Sequence, residues 1–246
     1  MSDTAETELA FDHDDQKRLY NYVERHGECT YDGLEAAMPL SPRGIRHHVA
    51  ILQRDGFLRV DDEAVTVAFD ADVAAETHRS DGIEVVVRPA RQGDLSGLVG
   101  AIRQVADDRT YIEAESVADI VDHEEVLLRH NDVEERMFFV ATVDEAVVGW
   151  VHLVGSELAK LAHTATLTVG VIDAHQGHGI GGYLLERGLE WAASRGYEKL
   201  YNSVPATNDA AIGFLESRGW EREARRADHY QLDEAYVDEV MMAYRL

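Results

Sequence analysis

The sequence predicts a mixed α/β domain, with a sheet flanked by helices, preceded by a small α+β domain. Between residues 83 and 246, short β-branched and apolar runs alternate with stretches of helical periodicity. A glycine-rich segment, residues 176–182, stands between a strand pattern and a helix pattern. The first 70 residues instead have the pattern of three helices and a hairpin. The expected organisation is a disordered tail (1–10), a small domain (11–70), a polar, charged linker (71–82) and a main domain (83–246).

In the small domain, start and stop signals delimit the helices. A first helix is predicted over residues 14–26, where a glycine follows it. Thr30 is suited to cap a second helix. Ser41, followed by a proline, is a typical start for a third helix over residues 42–54. A hairpin is predicted over residues 57–69.

The main domain is predicted to contain seven strands and four helices. Asp144 and Glu145 are expected to form a tight hairpin turn between two of the strands. The predicted strands are 84–88, 136–143, 146–155, 164–172, 199–204, 220–232 and 237–245. The predicted helices are 94–106, 116–130, 180–195 and 209–218.

Composition bounds the class of protein. The formal net charge is −24, the acid is spread along the whole chain, and only three residues are lysine. Such even acidity favours a halophilic, haloarchaeal protein over an ordinary acidic one, because it keeps a surface hydrated in concentrated salt. Cys29 is the only cysteine, which excludes an intrachain disulfide. With no signal peptide and no apolar run of membrane length, a cytoplasmic protein is expected.

The glycine segment fits two phosphate-binding patterns. Gly177, Gly179 and Gly182 satisfy G-x-G-x-x-G, the dinucleotide fingerprint, which also needs an acidic residue after the next strand. That strand ends instead in Pro205, and only one more helix follows. The alternative pattern is Q/R-x-x-G-x-G/A, with Gln176 at its first position. It resembles the acyl-CoA pyrophosphate loop of GCN5-related N-acetyltransferases (GNAT).

Two further segments carry the same resemblance. Residues 208–220, NDAAIGFLESRGW, are similar to the family helix N-x-x-A-I-x-L-Y-E-K-x-G-F, and residues 86–94 are similar to its opening strand and helix start. The resemblance implies the GNAT acyl-CoA acyltransferase fold over residues 83–246. It also implies acetyl-CoA as co-substrate, no metal, and a primary amine as acceptor: a small molecule, an amino acid or a protein N-terminus.

The resemblance also implies where acetyl-CoA would lie. The pantetheine arm would pair with the strand before the glycine segment, and the pyrophosphate would accept hydrogen bonds from the segment's N–H groups. Asn208 matches an asparagine that reaches the CoA arm, and it also suits a helix N-cap. The cofactor-binding candidates are Val169, Gly170, Val171, Gln176, Gly177, His178, Gly179, Ile180, Gly181, Gly182 and Asn208.

The proton-transfer groups are less strongly indicated. His163 heads the strand, where some relatives carry a catalytic glutamate, and histidine suits a general base. His152 and Glu157 are lesser candidates. Leu215 stands where the family has its thiolate-protonating tyrosine. Substitutes for that tyrosine are Tyr183, Tyr201 and Tyr230, and the thiolate could also leave into water.

The acceptor is expected between the first helices and the last strand pair. Carboxylates there would suit an ammonium group, although they also fit the general acidity of the chain. The candidates are Tyr111, Glu113, His229 and Tyr230, with Glu115 beside them.

The small domain resembles a winged helix-turn-helix, with residues 42–54 as its recognition helix. Arg43, Arg46 and His47 lie at the start of that helix and are candidates for DNA contacts. Dimerisation or docking of a partner is an equal alternative, and a homodimer stays open. Two alternative functions remain. One is a transcriptional regulator whose acetyltransferase-like domain only senses CoA, and the other is a protein-modifying acetyltransferase that docks its target through this module.

Overall fold

A computed structural model describes Leu9 and residues 11–68, 74–106, 111–131, 134–156, 158–232 and 235–246. Its N-terminal unit holds three helices, α1 (Asp14–His26), α2 (Tyr31–Ala37) and α3 (Pro42–Arg54). Three antiparallel strands, β1 (Glu28–Thr30), β2 (Leu58–Asp61) and β3 (Ala64–Val67), form a sheet in the order β1-β3-β2.

The expected caps form in this unit. Thr30 Oγ1 accepts a hydrogen bond from the N–H of Gly33, and Ser41 Oγ accepts one from Gly44. The predicted helices over 14–26 and 42–54 are confirmed. Leu9 belongs to the buried core of this unit, so the predicted disordered tail 1–10 is wrong at that residue. The rest of the tail lies outside the described residues.

The main unit is built on one nine-stranded sheet. Its order is β11-β12-β10-β9-β8-β7-β5-β4, with β6 paired to β7, and every pair is antiparallel except β9 with β10. The strands are β4 (Glu76–Ser80), β5 (Ile83–Pro89), β6 (Arg129–His130), β7 (Glu135–Val143), β8 (Ala146–Gly155), β9 (Thr164–Val171), β10 (Lys199–Pro205), β11 (Glu221–Leu232) and β12 (Ala235–Arg245). The helices are α4 (Leu95–Ala106), α5 (Ile112–Glu124), α6 (Ile180–Ser194) and α7 (Asp209–Ser217).

Helices cover both faces of this sheet, as its apolar content requires. On one face α6 packs over β8 and β9, and its buried Leu184 belongs to the same core cluster as Leu167. On the other face α4 packs over β8, around the buried Phe138 and Trp150, and α5 packs beside it over β9 and β10. No helix in the described part of the chain is long and apolar enough to cross a membrane.

Two predicted elements differ from the structure. Residues 76–80, assigned to the linker, form the edge strand β4, because their backbone pairs with β5 although their side chains are polar. The helix predicted over 116–130 instead spans Ile112–Glu124. It ends where Glu125 adopts a left-handed conformation with φ 56°, after which the chain turns to pair β6 with β7.

The two units meet through a buried polar contact. The carboxylate of Glu24 on α1 is 4% exposed and accepts a hydrogen bond of 2.8 Å from Asn131. The Arg129 guanidinium lies 3.5 Å from the same carboxylate, and the Tyr20 hydroxyl donates to the carbonyl of His130 at 2.7 Å. The units therefore touch, although their apolar cores are separate clusters.

We expect residues 74–246 to fold and bind CoA without the first 73 residues. The truncation keeps β4 on the edge of the sheet, and it exposes Arg129 to water rather than leaving it buried without Glu24. Circular dichroism and CoA calorimetry in high salt test this. If the full-length chain is soluble but the 74–246 fragment aggregates or does not bind CoA, the two units depend on each other for folding.

Candidate functional site

The main sheet opens into a cleft where two parallel strands separate. β9 pairs with β10 only between residues 164 and 166, whereas on its other edge β9 pairs with β8 through Val171. Beyond the split lies a cleft of about 350 Å³. It is bordered by the far ends of β9 and β10, the glycine segment, and parts of α5 and α7.

The open edge of β9 offers unpaired backbone groups to this cleft. Ile172 donates its N–H to Val148 on β8, and backbone direction alternates along a strand. Val169 and Val171 therefore turn their backbone groups toward the open edge. Gly170 has a different role, because a Cβ at this position would collide with the Trp150 ring. By the same alternation its backbone groups face β8, and this corrects the prediction that they contact pantetheine.

The glycine segment carries the chain from β9 into the first turn of α6. Gly177 and Gly179 have φ values of 81° and 78°, a region that other residues rarely adopt. Gln176 holds the turn against the strand, since its Nε2 donates to Val171 O at 3.0 Å and to the Asp173 carboxylate at 2.8 Å. The N–H groups of Gly177, Gly179 and Gly181 donate to no described residue. Free N–H groups at a helix N-terminus are suited to bind an anion, and this group is called the anion site below.

A cation stands beside this anion site. The exposed Arg218 lines the cleft, and a Cβ added at Gly182 would collide with its guanidinium. Arg218 lies 5.5 Å from the Phe214 ring centroid and forms no ion pair within the described part of the chain. Arg218 was not predicted from the sequence, although it lies in the 208–220 segment, because its position in that motif is unspecified.

We expect Arg218→Gln to weaken CoA binding by about tenfold, the loss of one charge-assisted phosphate contact of about 1.5 kcal/mol. The loss should shrink as salt is raised, because this arginine is exposed and its field is screened. Calorimetric titration with CoA at two salt concentrations measures both effects. Arg222→Gln, on the neighbouring strand and paired with Glu216, is the matched control. Equal affinities for Arg218→Gln and wild type would remove Arg218 from the site.

Comparison with known proteins agrees with this geometry. The model of the acetyltransferase (GNAT) family matches residues 100–220. Residues 100–220 form a GNAT acetyltransferase domain. No curated protein sequence matches the chain.

Solved structures share the fold of this domain. A GCN5-related N-acetyltransferase from Kribbella flavida has 21% identity and a TM-score of 0.55, covering 66% of this chain and 98% of its own. An acetyltransferase from Salmonella typhimurium, solved with its cofactor acetyl-CoA, has 19% identity and a TM-score of 0.54, covering 66% and 94%. A ribosomal-protein-alanine N-acetyltransferase from Brucella melitensis has 22% identity and a TM-score of 0.52, covering 65% and 99%.

Most of the predicted cofactor residues line the cleft of this GNAT domain. Asn208 lines it while its Oδ1 caps α7 by accepting from Ala211 at 3.0 Å, so its two suggested roles are compatible. His178 does not line the cleft, and its Nδ1 faces the Asp81 carboxylate at 3.1 Å instead. The predicted residues that line the cleft are Val169, Gly170, Val171, Gln176, Gly177, Gly179, Ile180, Gly181, Gly182 and Asn208.

A carboxylate and a phenol meet where α5 and β11 approach each other at the GNAT cleft. Glu113 on α5 lines the cleft and accepts a hydrogen bond of 3.2 Å from the Tyr230 hydroxyl on β11. Burial, followed by the charges of Glu113 and Glu239, raises the pKa of Tyr230 above its ordinary value. Tyr230 therefore stays protonated and can only donate to Glu113. His229 points elsewhere, 3.5 Å from Glu239, and is exposed.

The structure corrects the assignment of His163 as general base. This histidine is exposed just before β9 begins, at the end where β9 and β10 are still paired. Thr168, the first β9 residue on the cleft, lies roughly 16 Å further along at about 3.3 Å per residue. The sequence places His163 at the start of β9, but it does not show at which end of β9 the neighbouring strand β10 separates from it.

The lesser candidates do not replace it. His152 is 5% exposed beneath the cleft, with Nδ1 3.2 Å from the Thr168 hydroxyl. Burial, and then the charge of Arg136, lowers the pKa of His152 to about 3, so it is a neutral and very weak base. Glu157 lies outside the described residues.

Only Tyr111 among the described tyrosines lines the cleft. Tyr183 stacks on His78, with ring centroids 3.9 Å apart, and Tyr201 lies under the Lys199 ammonium. Leu215, at the usual tyrosine position, is 2% exposed and belongs to the α6-side core. The phenol that lines the cleft thus belongs to Tyr111, the N-cap residue of α5, and not to α7.

Proposed function

We propose that this protein transfers an acetyl group from acetyl-CoA to a primary amine of a small molecule, an amino acid or a protein N-terminus. The observation that carries the proposal is the open edge of β9, which leads directly to the free N–H groups at the start of α6. A pantetheine arm can add to that edge like a strand, while a pyrophosphate occupies the anion site. The structural neighbour from Salmonella typhimurium, solved with acetyl-CoA, supports the choice of cofactor.

The reaction needs a base, an oxyanion donor and a proton for the thiolate. We assign the base to Glu113, directly or through one water, because it is the described carboxylate that lines the cleft. The amine nitrogen then attacks the thioester carbonyl carbon, and the N–H of Val169 or Val171 donates to the oxygen. The carbon–sulfur bond breaks, and the thiolate takes a proton from Tyr111 or from water.

Turnover tests this proposal against the CoA-sensor alternative. Acetyl-CoA is incubated with a panel of amines, in the salt that best preserves the fold, and thiol release is followed. We expect release that depends on both the amine and the enzyme, and that stops in Glu113→Gln. Tight CoA binding without transfer to any amine in the panel would favour a sensor.

A second candidate function is DNA binding by the N-terminal unit, which we propose to be a winged helix. Arg43, Arg46 and His47 are exposed on α3, and none forms an ion pair with a described residue, although Arg46 lies over the Tyr31 ring at 5.2 Å. The net charge of −24 repels phosphates, so binding would rest on sequence-specific contacts. Selection from a random duplex pool should enrich a motif that Arg43→Ala/Arg46→Ala no longer binds. Failure to enrich any motif would favour a docking or dimerisation role.

A further inference from the structure

We propose a binding site for a divalent transition metal at His13, Asp15 and His48, where the start of α1 meets the middle of α3. Each residue offers one nitrogen or oxygen ligand atom, and these atoms lie within 4.8 Å of one another. Two imidazoles and one carboxylate suit Zn²⁺, Co²⁺, Ni²⁺ or Cu²⁺, and do not suit Mg²⁺ or Ca²⁺, which prefer oxygen. Water would supply the remaining ligands.

The geometry needs little adjustment to close around a metal. His13 Nδ1 lies 3.5 Å from the Asp15 carboxylate, and the ring centroids of His13 and His48 are 5.3 Å apart. Ligand atoms about 2.1 Å from one metal are separated by at most about 4.2 Å. The side chain of His13 is 58% exposed and can turn by the difference, either binding through Nε2 or giving up the hydrogen bond that its Nδ1 accepts from Asp15 N.

His48 supplies a second observation that points to a ligand. Its Nδ1 is buried from solvent and has no hydrogen-bond partner among the described residues. An orphaned buried nitrogen is costly, and a metal would satisfy it.

Packing of the helices creates this cluster from distant parts of the chain. His13 is the N-cap of α1, accepting a hydrogen bond from Asp15 N at 3.1 Å, whereas His48 faces it from α3. No metal was expected, because the resemblance to GNAT enzymes implies none, and these two histidines are too far apart in sequence to form a ligand motif. A bound metal would tie α1 to the helix that carries the exposed arginines.

Cobalt titration of the full-length, chelator-treated protein tests the site. We expect one equivalent of Co²⁺ to bind with visible absorption bands, to be displaced by Zn²⁺, and to raise the melting temperature. His48→Ala should bind at least about tenfold more weakly, the loss of one ligand. His13→Asn should weaken binding in the same way while keeping a helix cap, since asparagine is a good N-cap. The control is His47→Ala, which removes an exposed imidazole beside His48 on the same helix.

The outcomes separate clearly, with circular dichroism showing that each variant is folded. The site is supported if His48→Ala and His13→Asn no longer bind the single equivalent of Co²⁺ and His47→Ala still binds it. Absence of a saturable equivalent in the wild type overturns it. So does unchanged affinity in His48→Ala, or an equal loss in His47→Ala, because the metal would then bind elsewhere. If His48→Ala does not fold, His13→Asn alone decides between these results.

Discussion

Gly181→Glu is expected to abolish CoA binding at concentrations that saturate the wild type. The new carboxylate would stand at the anion site formed by the first turn of α6, where the pyrophosphate is proposed to bind. Two like charges about 4 Å apart at an effective dielectric constant near 20 repel by about 4 kcal/mol, or roughly a 10³-fold loss of affinity. Calorimetry with CoA measures the loss directly.

The local geometry makes this substitution clean. Gly181 has no positive φ, and a Cβ there would meet Phe214 at an ordinary contact distance of 3.5 Å. Gly181→Ala is therefore the matched control, and we expect it to retain CoA affinity within a few fold. Gly179 is a poorer choice because its φ of 78° adds backbone strain to any substitution. A folded Gly181→Glu variant with wild-type affinity would mean that the pyrophosphate does not bind at this segment.

Glu113→Gln is expected to lower kcat/KM by about 10²–10⁴, the usual contribution of general base catalysis. The amide has the same shape and can still accept from Tyr230, so the fold and the CoA affinity should be unchanged. Steady-state rates with an amine from the panel, combined with CoA calorimetry, separate catalysis from binding. Glu115→Gln removes an exposed carboxylate from the same helix and serves as the control.

The pH profile adds an independent test of this pair. Burial and the charge of Glu113 raise the pKa of Tyr230. Its phenol therefore keeps its proton at about pH 10, where an ordinary tyrosine titrates. We therefore expect no alkaline loss of kcat/KM from Tyr230 below that range. Tyr230→Phe should lower kcat less than Glu113→Gln does, since the carboxylate remains. Normal turnover in Glu113→Gln would transfer proton removal to water.

Local patterns were enough to predict most of the secondary structure. The third helix was predicted over 42–54 from its cap and periodicity, and these are the bounds of α3. Asp144 and Glu145 both have positive φ, as the predicted tight turn requires. Such elements depend on neighbouring residues only, so the sequence contains the information. The edge strand β4 was missed because its order comes from pairing with β5, not from an apolar pattern of its own.

The glycine segment shows how far the sequence alone reaches. Its glycines, the strand before it and the helix after it predict an anion site, because N–H groups at a helix start have no partner within the helix. The sequence also determined a strongly acidic chain, with a net charge of −24.

Only the tertiary structure decided which side chains reach the cleft. The cleft opens where β9 separates from β10, with Glu113 and Arg218 in its lining, and His163 lies at the closed end. The same holds for His13 and His48, which meet because α1 packs on α3. The physical reason is that a site is defined by distances of a few ångströms between elements far apart in the chain. Local periodicity fixes the faces of each element, but their mutual placement follows from packing the whole core.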